Sequence, residues 1–224
     1  MNSARLFLVA VVLVLSAQLV TAQDLSRYRV YALDSSLESV LAASGARATD
    51  AKVLHERPAK IQELEWRTSY RRSETELADP VRGLTFSFCD DALYQVLVNY
   101  DPARTDGLSN ADVIDSLTAT YGTPVLRSVR NRPLDAPPDT VVLAQWDSAG
   151  SSLTLLRTVY SSEFQLILTS KALGTRARGA IREAARLDIA DAPRREMEQR
   201  KKEAADAAAA RDKIRANNKA AFRP

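Results

Sequence analysis

The chain has 224 residues, with a single cysteine, a single histidine and a formal net charge of +3. One cysteine excludes an internal disulfide, and one cysteine with one histidine leaves too few ligands for a zinc site of the usual kind. The charge is unevenly divided. Residues 23–170 hold 15 Lys and Arg against 20 Asp and Glu, a net of −5, whereas residues 171–224 hold 15 against 8, a net of +7. The sequence therefore predicts an acidic body followed by a basic tail.

The first 22 residues have the pattern of a cleavable secretory signal peptide. Arg5 precedes the apolar run Leu6 to Leu15, and Val20 and Ala22 fit the −3 and −1 positions of a cleavage site before Gln23. The run is too short for a membrane span, which needs about 20 residues. We expect a mature chain, periplasmic or secreted, without a transmembrane segment; the alternative is an uncleaved anchor. The only cysteine lies far from this region, so a lipoprotein is not expected.

The first structural unit, residues 23–106, opens with a capping-box pattern. Ser35 is placed as the N-cap residue of a helix, and Glu38, in the first turn, is placed to accept a hydrogen bond from the Ser35 backbone amide. Leu37 and Val40 lie on one apolar face of this helix, and Gly45 ends it.

The second unit, residues 107–171, repeats this order. Ser109 is placed as the N-cap residue, and Asp112 is placed to accept a hydrogen bond from its backbone amide. Val113 and Ile114 lie on the apolar face, and Gly122 ends the helix. Both helices are short, so each needs a sheet to pack on.

Each helix is followed by a polar stretch and a strand-like run ending in tryptophan, 21 residues after Gly45 and 24 after Gly122. A hairpin pattern follows each tryptophan, with turns at Asp90-Asp91 and Ser161-Ser162. The predicted strands are Ile61–Trp66, Leu84–Cys89, Leu93–Tyr100, Val141–Trp146, Leu153–Tyr160 and Phe164–Ser170. The sequence thus predicts an α+β fold of two tandem units, each a helix followed by three antiparallel strands.

This order resembles the β-lactamase-inhibitor-like proteins and the small outer-membrane-assembly lipoproteins of bacterial envelopes. The resemblance covers roughly Leu33 to Ser170 and depends on the repeated residues Ser35, Gly45 and Trp66, and Ser109, Gly122 and Trp146. The chain lacks the lipid-accepting cysteine of the one family and the paired disulfide cysteines of the other. The resemblance implies protein binding in the envelope, with an unidentified protein partner.

The charged connection from Arg67 to Gly83 is long, and long loops often carry binding surfaces. The candidate binding surface consists of Trp66, Arg67, Tyr70, Arg71 and Arg72. In the second unit the long connection lies earlier, between the helix and its first predicted strand, and contains Pro133, Pro137 and Pro138.

The tail, residues 172–224, is rich in Ala, Arg, Lys and Glu, which are strong helix formers. Pro193 predicts a break between a helix over residues 176–189 and another over residues 194–217. A weak apolar stripe with which the first helix could dock consists of Ile181, Ala184, Ala185 and Asp188.

Three interpretations of the tail stay open at this point. It is a solvated helix without a partner, or it attaches electrostatically to an anionic envelope surface. Nucleic-acid binding is disfavoured, because the tail lacks interleaved aromatic residues for stacking and the chain is expected to be exported.

The sequence favours a non-enzymatic protein-binding or accessory protein of the cell envelope, with no catalytic, metal or cofactor site. The first alternative is a structural protein that its tail tethers to an anionic surface. The second is a hydrolase that uses His55 and carboxylates, which Asp90, Asp91 and the stretch from Asp101 to Asp106 supply near turns. Cys89 lies in a strand-like run and is expected to be a buried, inert thiol.

Overall fold

The computed structural model describes residues 24–67, 79–125, 137–161, 163–221 and 223. The predicted signal peptide with its cleavage site at Ala22 and Gln23 lies outside the described residues, as do Tyr70, Arg71 and Arg72. The elements in chain order are β1 (Arg27–Tyr28), β2 (Tyr31–Ala32), α1 (Leu37–Ser44), β3 (Ala51–His55), β4 (Ile61–Arg67), β5 (Val81–Cys89), β6 (Ala92–Tyr100), α2 (Pro102–Thr105), α3 (Asn110–Tyr121), β7 (Thr140–Asp147), β8 (Ser151–Thr158), β9 (Phe164–Ser170) and α4 (Lys171–Ala221).

The two units share one antiparallel sheet of seven strands, in the order β3-β4-β5-β6-β9-β8-β7. Strands β4 to β6 come from the first unit and β7 to β9 from the second, and the pairing of β6 with β9 joins them. The predicted α+β fold of two tandem helix-plus-three-strand units with a long basic C-terminal helix is therefore confirmed.

The first unit has an additional strand that the sequence analysis missed. Strand β3 lies at the edge of the sheet beside β4, and its Val53 and Leu54 are exposed. In the second unit a single backbone hydrogen bond lies at the corresponding edge, where the Val125 amide donates to the carbonyl oxygen of Gln145 on β7 (2.7 Å). An edge strand with exposed side chains shows no regular alternation of apolar and polar residues, so the sequence here predicts only a polar stretch.

One face of the sheet packs against α1 and α3 and contains the main core. Phe86 lies opposite Leu64 and Val96 on the neighbouring strands, and Leu155 lies opposite Leu166; all five side chains are fully buried. Burial of such a side chain contributes about 1.5–3 kcal/mol. The two helices add Leu37, Val40, Leu41, Val113, Ile114 and Leu117 to this cluster.

The predicted cap of α1 is wrong by one residue. Ser36, not Ser35, accepts a hydrogen bond from the Ser39 amide (3.2 Å), whereas the Ser35 hydroxyl donates to the carbonyl oxygen of Ala32. The Glu38 carboxylate does not accept the predicted hydrogen bond from the N-cap amide. Asp91, in the hairpin turn between β5 and β6, accepts a hydrogen bond from the Leu37 amide at 3.1 Å.

The predicted cap of α3 is confirmed. The Ser109 hydroxyl accepts from the Asp112 amide (3.2 Å), and the Asp112 carboxylate accepts from the Ser109 amide (2.7 Å). The Ser109 hydroxyl also donates to the Asp112 carboxylate (2.6 Å), and this bond first, followed by the bond from the Ser109 amide, holds the pKa of Asp112 below its usual value. Gly45 and Gly122 end their helices with positive φ angles of 69° and 76°, as the sequence predicted.

The tail forms one helix, so the predicted break at Pro193 is wrong. Helix α4 runs unbroken from Lys171 to Ala221 with Pro193 inside it. A proline removes one amide donor from the helix. The carbonyl oxygen that loses this donor is that of Ile189, and one residue before it the Arg195 guanidinium donates to the carbonyl oxygen of Asp188 at 2.8 Å.

The first turns of α4 dock on the second face of the sheet through small residues. The buried side of the helix is formed by Gly174, Ala177, Ala180 and Ala184. Of the predicted stripe, Ala184 is buried and Ile181 is partly buried, whereas Ala185 and Asp188 are exposed. A Cβ atom at position 174 would lie 2.9 Å from the Thr169 methyl carbon, so glycine is what allows the close approach.

Candidate functional site

The two tryptophans of the repeat have the same structural role. The indole N–H of Trp66 donates to the carbonyl oxygen of Ser44 at the end of α1 (3.1 Å), and that of Trp146 donates to Gly122 at the end of α3 (2.6 Å). In each unit the tryptophan satisfies a carbonyl that the helix leaves without a partner. This role explains the similar glycine-to-tryptophan spacing in the two units.

The described part of the predicted binding surface is divided between core and solvent. Trp66 is partly buried and packs against the main core. Arg67 is exposed and lies 3.5 Å from Glu65. The other three predicted residues, Tyr70, Arg71 and Arg72, lie outside the described residues, so their part in a binding surface stays a prediction.

The carboxylates that were candidates for chemistry make structural hydrogen bonds. Asp90 accepts from the Lys60 amide (2.9 Å) and also pairs with Arg176 of α4. Asp101 accepts from the Ala103 amide (2.9 Å) and caps α2. In the described ranges, no three His, Cys, Asp or Glu side chains cluster as metal ligands would.

The histidine and the cysteine lie at different depths. His55 is half-buried at the end of edge strand β3, opposite Ile61. Cys89 is fully buried beneath α4, and this burial raises the pKa of its thiol. A raised pKa disfavours the thiolate, which is the reactive form of cysteine.

Three tyrosines form a polar cluster with Arg29 at one end of the core. Arg29 donates two hydrogen bonds to the Asp79 carboxylate (2.7 and 2.8 Å), and its guanidinium carbon lies 5.4 Å from the centre of the Tyr28 ring. Burial raises the pKa of Tyr28 to about 12 and that of Tyr100 well above its usual value; burial also raises the pKa of Tyr121. These hydroxyls stay protonated at neutral pH. A side-chain hydrogen bond between Tyr28 and Tyr100 attaches β1 to the end of β6.

Ion pairs attach α4 to the body at both ends of its docked part. Lys171 lies 3.4 Å from Asp147 and donates to the carbonyl oxygen of Ser148. Near the other end, Asp191 pairs with Arg57 from the loop that follows β3. These pairs define the direction in which the rest of the helix projects.

A further group of side chains lies on the same sheet face as α4, farther along the strands. It has an apolar centre, in which Leu156 and Ile167 are buried and Leu97 and Val142 are partly buried. In the described residues, no helical side chain joins this apolar cluster. Polar side chains border it: Gln165 donates to Asn99 (3.0 Å), and Thr158 lies two residues beyond Leu156. Beside Thr158 lies Glu163, which pairs with Arg82 (3.2 Å). We call the set Leu97, Asn99, Val142, Leu156, Thr158, Gln165 and Ile167 the amide patch.

Two polar atoms of the amide patch have unused hydrogen-bonding capacity. Oε1 of Gln165 and Oγ1 of Thr158 are shielded from solvent and have no hydrogen-bond partner in the described structure. Gln165 lies directly opposite Leu156 on the neighbouring strand, so both atoms border the apolar cluster. An unsatisfied buried polar atom costs about 1–3 kcal/mol, and native proteins contain few of them.

The amide patch was not predicted from the sequence. The sequence does show that β6, β8 and β9 carry apolar residues on both faces, which indicates that the second face of the sheet is partly covered as well. The pairing of β6 with β9, which brings Asn99 beside Gln165, could not be read from either unit alone.

Comparison with known proteins gives no match to a family model, a curated protein or a solved structure. The resemblance to envelope inhibitor and assembly proteins therefore depends on the repeated motifs alone. Among the described residues, no helix combines the length and apolarity needed to cross a bilayer.

Proposed function

We propose that the protein is an exported, non-enzymatic accessory protein of the bacterial cell envelope, and that its body binds a protein partner through the amide patch. Export is inferred from the signal-peptide pattern of residues 1–22. The periplasm is the compartment in which we expect the protein to act.

The observation that carries the proposal is the pair of unsatisfied acceptors beside an apolar cluster. Interfaces between proteins often have an apolar centre, few charges and a polar rim. The amide patch has this composition, with four aliphatic side chains and three uncharged polar ones. The terminal amide torsion of glutamine is soft, so a small rotation would present Oε1 of Gln165 to a donor on the partner.

The partner that fits this surface is a protein segment with aliphatic side chains and at least one N–H or O–H donor. Such a donor would recover the hydrogen bond that Gln165 lacks in the free protein. A highly charged segment would fit poorly, because the apolar centre offers its charges no counter-ion.

Site-specific photo-crosslinking in cells tests this proposal. Benzoylphenylalanine is placed at Asn99 or Val142 in the amide patch, and at the exposed Ser116 on α3 as the control. We expect the two patch positions to give the same protein adduct and Ser116 to give none. Adducts that form equally at all three positions, or at none of the patch positions, would overturn the proposal.

A further inference from the structure

We infer that the exposed end of α4 binds the surface of an anionic phospholipid membrane through one basic face. The segment concerned is residues 192–221, which we call the arm. Every residue of the arm is exposed, and at 1.5 Å per residue it is about 45 Å long. This inference rests on the arm alone and is independent of the role of the amide patch.

The cations of the arm are not evenly distributed around the helix. At about 100° per residue, one sector of about 120° contains ten residues between positions 197 and 219. Its five cations are Arg200, Lys201, Arg211, Arg215 and Lys219, and its other members are Met197, Ala204, Ala207, Ala208 and Asn218. The sector contains no acidic residue, and we call it the basic face.

The acidic residues of the arm all lie around the rest of the helix. They are Glu196, Glu198, Glu203, Asp206 and Asp212. Arg200 lies 3.6 Å from Glu196, and both side chains are largely exposed. Within the described chain, the other four cations of the basic face form no ion pair, so their charge is available to an outside partner.

The shape of the basic face fits a flat anionic surface. Three alanines separate the group Arg200 and Lys201 from the group that begins at Arg211, so no bulky side chain stands between them. From Arg200 to Lys219 the cations extend over about 28 Å in a line. A plane of lipid phosphates can contact all of them at once.

The mode of binding is peripheral. Met197 is the only large apolar residue on the basic face, and Ile214 lies just beyond its edge. Helices that insert into the headgroup region have a broad apolar face, which the arm lacks. Binding is therefore electrostatic and reversible by salt, while the acidic body, net −5 over residues 23–170, is repelled from the same surface.

Vesicle co-sedimentation of the exported chain, residues 23–224, tests the inference. One variant carries Arg211→Gln and Arg215→Gln on the basic face. The control carries Lys202→Gln and Lys213→Gln, which lie on the opposite side of the same helix and remove the same charge. Glutamine is close to both residues in helix propensity, so each variant keeps the helix, which circular dichroism checks.

We expect the unchanged protein to bind vesicles containing phosphatidylglycerol and to dissociate when salt rises from about 0.05 M to about 0.5 M. Each cation near an anionic surface contributes about 5-fold to binding, so the basic-face variant should bind about 25-fold more weakly. The control should lose no more than a few-fold. Equal losses in both variants, equal binding to vesicles of phosphatidylcholine alone, or no binding at all would overturn the inference.

Discussion

At the scale of single residues, the two tryptophans are the strongest structural evidence for the duplication. Each donates from its indole N–H to a carbonyl at the end of the helix of its own unit. The repeat is visible in the sequence, but there Trp66 was assigned to the candidate binding surface and neither indole was expected to bond to a helix end. A hydrogen bond that joins residues more than twenty positions apart cannot be read from local sequence patterns.

Trp146→Phe is expected to lower the free energy of unfolding by about 2–4 kcal/mol. The change leaves the partly buried Gly122 carbonyl without its donor and also creates a cavity at the Trp146 side chain, which is only 1% exposed. Trp66→Phe is the matched control. It should cost about 1 kcal/mol, because Trp66 is only partly buried and water can replace its bond. Urea unfolding followed by circular dichroism measures both, and equal costs would contradict this account.

The buried Tyr28 predicts a loss of stability at high pH. Its pKa is about 12 in the folded protein, whereas an unfolded tyrosine has a pKa of about 10. Between these values the unfolded chain releases the proton and the folded chain keeps it. Stability is therefore complete below about pH 10 and falls as pH rises towards 12, by an amount on the order of 2–3 kcal/mol.

Tyr28→Phe tests this dependence, since it removes the ionisable group and should flatten the fall in unfolding free energy above pH 10. Tyr160→Phe is the control, because the Tyr160 side chain is 86% exposed, and its curve should follow that of the unchanged protein. If the curves of the two variants are parallel, burial of Tyr28 is not the cause of the alkaline instability.

At the scale of elements, helices with clear termini were predicted well and their tertiary contacts were not. The cap of α3 was correct because Ser109 and Asp112 act within one turn. Ser36, and not Ser35, caps α1, because Ser35 bonds to the sheet: its carbonyl oxygen accepts from the Leu93 amide (2.9 Å). That contact depends on the sheet, which the local sequence does not define.

The continuity of α4 was unpredictable for a similar reason. Pro193 is a strong helix breaker in isolation, at a cost of about 3 kcal/mol. Near the proline, Arg57 pairs with Asp191 and Arg195 donates to the carbonyl oxygen of Asp188. These contacts support the helix on the N-terminal side of the proline, and neither could be inferred from propensity.

Two glycines of α4 test how the helix docks. Gly179→Ala is expected to stabilise the protein by up to about 1 kcal/mol, because alanine is the better helix former and nothing lies within 4 Å of the added Cβ. At Gly174 the same change places the Cβ 2.9 Å from the Thr169 methyl carbon, and the β-branched threonine cannot easily move away. We expect Gly174→Ala to be about 1–2 kcal/mol less stable than Gly179→Ala by urea unfolding. Equal stabilities would show that α4 does not pack closely on the sheet.

At the scale of the whole molecule, the sequence predicted two units but not the single sheet that joins them. The pairing of β6 with β9 makes one continuous surface from strands of both units, and the amide patch exists only because of it. The predicted site residue Trp66 contacts the core instead, on the face that packs against α1 and α3. Repeat detection therefore located the structural residues, while the candidate interface required the tertiary arrangement.

The molecule as a whole combines a body with an uncharged patch and a helix that projects away from it. Lys171 and Asp191 attach the docked part of this helix at its two ends. In the function that we propose, the arm holds the protein at a membrane surface while the amide patch binds a protein partner. The two activities use separate residues, so each can be removed without the other.

The most direct test of the central claim is the affinity between this protein and the partner identified by crosslinking, measured by titration calorimetry with purified components. The variant is Leu97→Asp in the amide patch, and the control is Leu54→Asp, a leucine of edge strand β3 that is 50% exposed. Circular dichroism establishes that both variants are folded. If the amide patch is the interface, Leu97→Asp weakens binding at least about 30-fold, or about 2 kcal/mol, and Leu54→Asp leaves it unchanged. An unchanged affinity for folded Leu97→Asp, or an equal loss in both variants, would contradict the claim.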